Sequence, residues 1–112
     1  MDNLEKYRQI VRKVLIPYSK IKYAYGDYQN EAIFDEKNDR YLIVSQGWEE
    51  DGIRHHSCLL HLEIINDKIW IQKDNTEEGI ATDLLAAGIP KNDIVLGFHE
   101  PKIRKYTEFA VT

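Results

Sequence analysis

The chain has 112 residues, a length typical of one small domain. Its composition, with 43% hydrophobic and 30% charged residues, excludes an intrinsically disordered protein. Its formal net charge of −4 argues against a nucleic-acid footprint over the whole surface, because such a footprint needs a basic excess. A single cysteine excludes an internal disulfide, and we recognise neither a signal peptide nor an apolar run of ~20 residues, so the sequence predicts one domain over residues 1–112 in the cytoplasm.

The first predicted element is an amphipathic helix over residues 2–16. Its apolar residues recur at helical spacing: Leu4, Tyr7, Ile10, Val11, Val14 and Leu15. Asp2 or Asn3 is expected to cap its start. Pro17 is expected to end or kink the helix, and if it only kinks, Tyr18 continues the apolar stripe.

An aromatic connector at residues 23–26 leads into four segments with the alternation typical of strands. They cover residues 32–35, 40–48, 53–65 and 68–73. Because the turns between them are short, the sequence predicts an antiparallel meander. In the third strand we expect one face to carry Cys58, Leu60, Leu62 and Ile64, and the other to carry His55, Ser57, Leu59, His61 and Glu63.

A second helix is predicted after the meander, with Asn75 or Thr76 as its cap and Gly88 at its C-terminal stop. Residues 94–98 and 108–111 then predict one or two short C-terminal strands. The predicted fold class is therefore α+β: an N-terminal helix, a four-stranded antiparallel meander, a second helix and one or two short strands.

No complete catalytic or metal-binding motif is present in the sequence. His55 and His61 are six residues apart on a predicted strand, roughly 20 Å, which is too far for one metal ion unless the strand bends. Cys58 is predicted to be a buried and inert thiol. The sequence therefore predicts no cofactor, no metal site and no enzymatic activity.

A stronger signal is an apolar sheet face. Four residues are expected to lie on the face opposite the core: Tyr41, Ile43, Leu59 and Trp70. An exposed apolar and aromatic sheet face is typical of a protein interface. This pattern predicts a homodimer, a higher homo-oligomer or a hetero-complex.

The charge is unevenly distributed along the chain. Residues 1–22 hold six bases and two acids, and further bases follow near the C-terminus. One interpretation is a solvated helix face that complements an acidic body. The other is a weak contact to nucleic acid or to an acidic partner, and its residues would be Arg8, Arg12, Lys13, Lys102 and Lys105.

Two long strings in the second half resemble the XisI family: KIWIQKDNTEEGIA at 68–81 and GIPKNDIVLGFH at 88–99. Pro101, Arg104, Thr107 and residues 109–111 continue the resemblance. The segments LEKYR at 4–8, YAYG at 23–26 and CLLH at 58–61 are similar to it as well. The resemblance therefore runs essentially from end to end.

XisI proteins are small cyanobacterial factors, and the resemblance implies a role in the control of a programmed DNA excision. In the family, this excision accompanies heterocyst differentiation and removes an element that interrupts a nitrogen-fixation operon. A separate site-specific recombinase exchanges the strands, and XisI acts alongside a partner, XisH, which resembles a nuclease fold. The resemblance thus implies a non-catalytic accessory factor that binds an XisH-like protein, as an antitoxin binds its target, and that meets DNA only indirectly.

The residues expected to bind this partner are Tyr41, Ile43, Leu59, His61, Trp70, Phe98, His99 and Arg104. The alternative function is that of a weak DNA-binding regulator. It would act through the basic N-terminal helix together with Lys102, Arg104 and Lys105.

Overall fold

The computed structural model describes residues 3–23 and 27–112. Within them the helices are α1 (Asn3–Ser19), α2 (Ile80–Ala86) and α3 (Pro101–Arg104), with a 3₁₀ turn at Lys91–Asp93. The strands are β1 (Asp27–Asp35), β2 (Arg40–Trp48), β3 (Arg54–Ile65), β4 (Lys68–Asp74) and β5 (Ile94–Leu96). They form one sheet in the order β1-β2-β3-β4-β5. No helix among the described residues is both long and apolar enough to span a membrane.

Helix α1 buries a stripe at four-residue spacing, Tyr7, Val11 and Leu15, as predicted. Pro17 does not end the helix, which continues to Ser19. Pro17 has no N–H to bond to the carbonyl of Lys13, so the last turn of the helix continues without that one hydrogen bond. The predicted cap at Asp2 lies outside the described residues, as do positions 24–26 of the aromatic connector.

Strands β1 to β4 pair antiparallel in sequence order, which confirms the meander. Strand β1 is longer than predicted and begins at Asp27. The β3–β4 turn places Asn66 and Asp67 at φ of 51° and 61°. Positive φ at both central residues is the geometry of the two-residue hairpin turn that matches strand twist.

The predicted orientation of strand β2 is wrong. Tyr41 and Ile43 have no exposed surface and lie in the core. Both faces of this strand carry apolar residues, so alternation alone does not identify the core side. Packing against α1 decides it, and Leu42 and Val44 take the opposite face.

The predicted assignment of residues to the two faces of β3 is partly wrong, because the strand contains a β-bulge. Ile43 pairs with Leu60 but Val44 pairs with Cys58, so Leu59 is an extra residue on β3. The face presented by alternate residues therefore reverses at this point. Leu59 packs against the core instead of the outer face. Of the predicted outer set, His55 and Ser57 join it on the helix side, whereas His61 and Glu63 lie on the other.

Helix α2 begins later than predicted, and neither Asn75 nor Thr76 caps it. Gly79 is the N-cap residue, and Asp74 satisfies the first free N–H from outside the helix: its Oδ2 accepts the Ile80 backbone N–H at 2.7 Å. The predicted stop at Gly88 is confirmed, with φ of 102° and an Ile89 N–H that donates to the Leu84 carbonyl at 3.1 Å.

The C-terminal part adds β5, which pairs parallel to β4 after the chain passes through α2. The predicted strand within 94–98 is thus confirmed. The segment 108–111 contributes a single bridge, between Ala110 and Val95, and no full strand.

Candidate functional site

The side of the sheet turned away from α1 and α2 carries an apolar band, which we call the open face. It consists of Ile33, Leu42, Val44, Cys58, His61 and Trp70. Cross-strand pairing holds the band together, because Leu42 lies beside both Ile33 and His61. Ile33 is 47% exposed and the others are half-buried. The face therefore offers aliphatic and aromatic surface on a rigid scaffold.

A charged group borders the open face where β2, β3 and β4 meet. Glu63 Oε1 lies 3.7 Å from Arg40 Nε, and Glu63 Oε2 lies 3.0 Å from His61 Nε2. The second contact is close but outside hydrogen-bond geometry, and Nε2 has no partner among the described residues although it is buried. Because Nε2 is enclosed by the chain itself, a binding protein could not contact it without a rearrangement of the side chains around it.

Arg104 clasps the C-terminal segment onto the sheet beside the open face. Its guanidinium lies 5.0 Å from the centre of the Trp70 ring and donates to the carbonyls of His99, Gly97 and Val111. Gly97 lets the C-terminal segment lie close to β4, because a Cβ there would lie 3.1 Å from the Trp70 indole and 3.2 Å from the Ile71 carbonyl oxygen. Arg104 is therefore engaged within the chain and is not an open contact residue.

Phe98 and His99 lie in the loop that Arg104 holds. Their ring centres are 4.6 Å apart, and Phe98 is 48% exposed. Of the residues predicted to bind a partner, the structure thus places Trp70 and His61 on the open face and Phe98 at an exposed position. Tyr41 and Ile43 are buried in the core, so they are not exposed for contact with a partner.

Three arginines that were predicted to contact nucleic acid or a partner form ion pairs or hydrogen bonds within the chain. Arg8 makes a two-pronged contact to Asp39, at 2.7 and 3.1 Å, and its ion pairing raises the guanidinium pKa. Arg12 pairs with Glu36, and Arg104 forms the clasp. The lysines are more open: Lys13 is exposed, Lys102 lies 3.4 Å from Glu100, and Lys105 lies over Tyr106.

A cleft of about 310 Å³ on the helix side contains a hydroxyl–imidazole pair. Ser57 Oγ lies 3.2 Å from His55 Nε2, and the His55 ring packs edge-on to Tyr28. Glu49 also lines the cleft, but no carboxylate within residues 3–23 and 27–112 accepts a hydrogen bond from the His55 ring. Activation of a serine through histidine needs that third group, so the pair lacks a hydrolytic arrangement.

Metal and thiol chemistry find little support in the described part of the chain. No cluster of three His, Cys, Asp or Glu side chains there is arranged to hold a metal ion. Burial raises the pKa of the Cys58 thiol, and its Sγ lies 3.2 Å from the Leu60 carbonyl. A raised pKa keeps the group a thiol, the less reactive form.

The sequence matches the XisI protein family over residues 1–111. The chain belongs to the XisI family. This finding confirms the resemblance that the sequence strings indicated. No curated protein matches the chain in sequence.

Two solved structures from Anabaena variabilis ATCC 29413 are similar over nearly the whole chain. A XisI-like protein is 33% identical, with a TM-score of 0.88 over 97% of this chain and 99% of that one. The fdxN element excision controlling factor XisI is 38% identical, with a TM-score of 0.83 over 99% and 100%. These similarities confirm the α+β fold class.

The sequence pattern missed most of the open face. Ile33, Leu42 and Val44 belong to it, and none was among the predicted contact residues. The apolar alternation of Leu42 and Val44 was visible, but the equally apolar Tyr41 and Ile43 obscured which set faces outward. The bulge at Leu59 carried no signal in the sequence, because runs of neighbouring apolar residues also occur where the β1–β2 pairing is regular.

Proposed function

We propose that this XisI family member controls excision of a DNA element by binding a protein partner through its open face, without catalysing a reaction itself. The observation that carries the proposal is the apolar band itself, formed by Leu42, Val44 and Trp70 on the side of the sheet away from the helices. Its full-length similarity to an excision controlling factor supports the process.

The open face has the composition of a protein interface. Aliphatic and aromatic side chains occupy its middle, and the charged group Arg40–Glu63 lies at its border. Protein interfaces combine an apolar centre with a polar rim in this way.

The partner we propose is an XisH-like protein of nuclease fold, which this chain would restrain much as an antitoxin restrains its target. Such a role requires binding and no chemistry. The cleft with His55 and Ser57 lacks an orienting carboxylate, and Cys58 is held as a thiol, which agrees with a non-catalytic factor. Self-association through the same face is the competing use of this surface.

Direct DNA binding is the second candidate, and the ion pairs of the fold disfavour it. Arg8 and Arg12 of the basic helix are paired with Asp39 and Glu36. Phosphate contacts would have to break these pairs or rely on lysines alone, so the electrostatic gain would be small. This chain would therefore contact DNA only indirectly, through its partner.

Co-expression with an XisH-like protein tests the proposal. We expect the two chains to elute together in size exclusion at a mass equal to their sum. The DNA alternative predicts a gel shift by this chain alone that weakens steeply with salt. Separate elution of the two chains would contradict the partner-binding role, and a salt-dependent shift without the partner would favour the alternative.

A further inference from the structure

The two edges of the sheet differ in how they are protected. At one edge β5 has three residues, and the Ala110 backbone N–H donates to the Ile94 carbonyl at 2.9 Å, so a further segment covers it. At the other edge β1 runs for nine residues, from Asp27 to Asp35. Its only strand partner among the described residues is β2, and the bulges of the sheet lie in other strand pairs.

A long, regular edge strand presents unpaired backbone N–H and C=O groups that a further strand can bind. Proteins usually protect such an edge with proline, a bulge, a very short strand, charged side chains or a covering segment. Strand β1, with the sequence DYQNEAIFD, has no proline and no bulge, is nine residues long, and has no strand paired to its outer edge within residues 3–23 and 27–112. Its protection is the charge of its exposed acids, which disfavours strands that lack bases. Strand β1 is therefore a regular template for the addition of a strand.

The charges along β1 indicate which kind of strand can pair with its free edge. Asp27, Glu31 and Asp35 lie at every fourth position on the exposed side of β1, and the strand holds no base. If β1 paired antiparallel with β1 of a second copy about Glu31, three acidic pairs would face one another: Glu31 with itself, and Asp27 with Asp35 twice. Like charges directly opposite destabilise a strand pair, so the acids disfavour a second copy in this register.

We infer that β1 binds an extended, basic segment of a partner protein by strand addition. The inference deepens the proposed partner-binding role and rests on it, and it specifies the chemistry of the bound segment. In antiparallel register, such a segment carries lysine or arginine opposite Asp35, Glu31 and Asp27, and an aliphatic residue opposite Ile33. The added strand extends the open face, since Ile33 lies beside Leu42.

A synthetic peptide tests the recognition without the partner. We choose a nine-residue peptide with lysine at positions one, five and nine, valine at three, and threonine or glutamine elsewhere. We expect one peptide to bind each full-length chain in calorimetry and to slow amide exchange in β1 but not in α2. The same peptide with glutamate in place of the three lysines serves as the charge control and should bind at least about tenfold more weakly.

Two matched variants identify the edge as the site. Glu31→Lys reverses the central exposed charge of β1, and Glu77→Lys makes the same net change at an exposed position away from the sheet. We expect Glu31→Lys to weaken peptide binding about tenfold and Glu77→Lys to change it less than about twofold. Absence of binding to the unaltered chain, or equal losses in both variants, would overturn the inference.

The same variants distinguish this inference from the proposed function. If the chain forms a complex with its XisH-like partner but β1 shows neither amide protection nor sensitivity to Glu31→Lys, strand addition is wrong while partner binding stands. If no complex forms but the peptide binds as described, the choice of partner is wrong while the edge site stands. A homodimer in light scattering whose β1 amides are protected from exchange without any peptide would overturn the inference in favour of a second copy.

Discussion

Arg104 lies over the indole of Trp70, with its guanidinium carbon 5.0 Å from the ring centre, although the two residues are far apart in the chain. The same guanidinium donates to three carbonyls of the C-terminal segment. One side chain thus fixes residues 97–111 against β4 and sets the border of the open face.

Replacing Arg104 with alanine should lower the free energy of unfolding by ~1–3 kcal/mol, because a stacked, multiply hydrogen-bonded cation is lost. Arg104→Lys should recover little of this, since an ammonium lacks the planar donor geometry. Urea unfolding measures both losses. Lys102→Ala, at an exposed position of the same helix, is the control and should stay within ~0.5 kcal/mol.

Neighbouring positions on β2 test which face is the core. Ile43→Ala should lower the free energy of unfolding by ~2–5 kcal/mol, because it leaves a cavity in the core. Val44→Ala, on the half-exposed open face, should cost less than about 1 kcal/mol. Chemical denaturation measures the free energy of unfolding of both variants. Equal losses would contradict the assignment of the faces.

Asp74 holds the entry to α2 through two oxygens. Oδ2 accepts the Ile80 N–H at 2.7 Å, and Oδ1 accepts the Thr76 hydroxyl at 2.6 Å and the Thr76 N–H at 2.9 Å. Asp74→Ala should therefore lower the free energy of unfolding by ~1–2 kcal/mol, as loss of a helix cap does, and should speed amide exchange in α2. Glu77→Ala, exposed just before the helix, is the control and should change neither measurement.

Buried tyrosines make the fold sensitive to alkaline pH. Burial and a hydrogen bond to Asp93 raise the pKa of Tyr7 to about 12, and burial and Asp39 raise the pKa of Tyr41 to about 12. An unfolded tyrosine has a pKa of ~10, so the unfolded chain loses these protons first. The stabilisation is complete below pH ~10 and is lost as pH rises towards 12.

Urea unfolding at pH 8 and pH 11 measures this loss. Tyr7→Phe should be less stable than the unaltered chain at pH 8 but should lose less stability between the two values. The exposed Tyr106 provides the control, and Tyr106→Phe should follow the unaltered chain at both pH values. If Tyr7→Phe loses as much unfolding free energy between pH 8 and pH 11 as the unaltered chain does, Tyr7 is not part of the alkaline transition.

Local patterns predicted the element types well, because each has a short-range cause. The apolar stripe of α1, the turn at Asn66–Asp67 and the stop at Gly88 all follow from neighbouring residues. The start of α2 was predicted too early for a local reason: the Ile80 N–H bonds to Asp74, six residues before it, which is farther back than the usual capping patterns reach. Long-range packing decided the rest. The bulge at Leu59 reverses the face of β3, so simple alternation fails there.

The candidate site was predicted only in part for the same reason. Trp70 and His61 were expected on the outer face and lie there, whereas Tyr41 and Ile43 were assigned to the wrong side. The clasp by Arg104 depends on a contact across 34 positions, which no local pattern contains.

Calorimetry of the complex with an XisH-like partner tests the open face most directly. Val44→Lys places a charge in the apolar band, beside Glu31 across the strand pair, so the fold should tolerate it. Ile16→Lys makes the same kind of change at an exposed position of α1, on the opposite side of the sheet. We predict that Val44→Lys weakens partner binding at least about tenfold while Ile16→Lys leaves it within about twofold; equal affinities for the two variants would contradict binding through the open face.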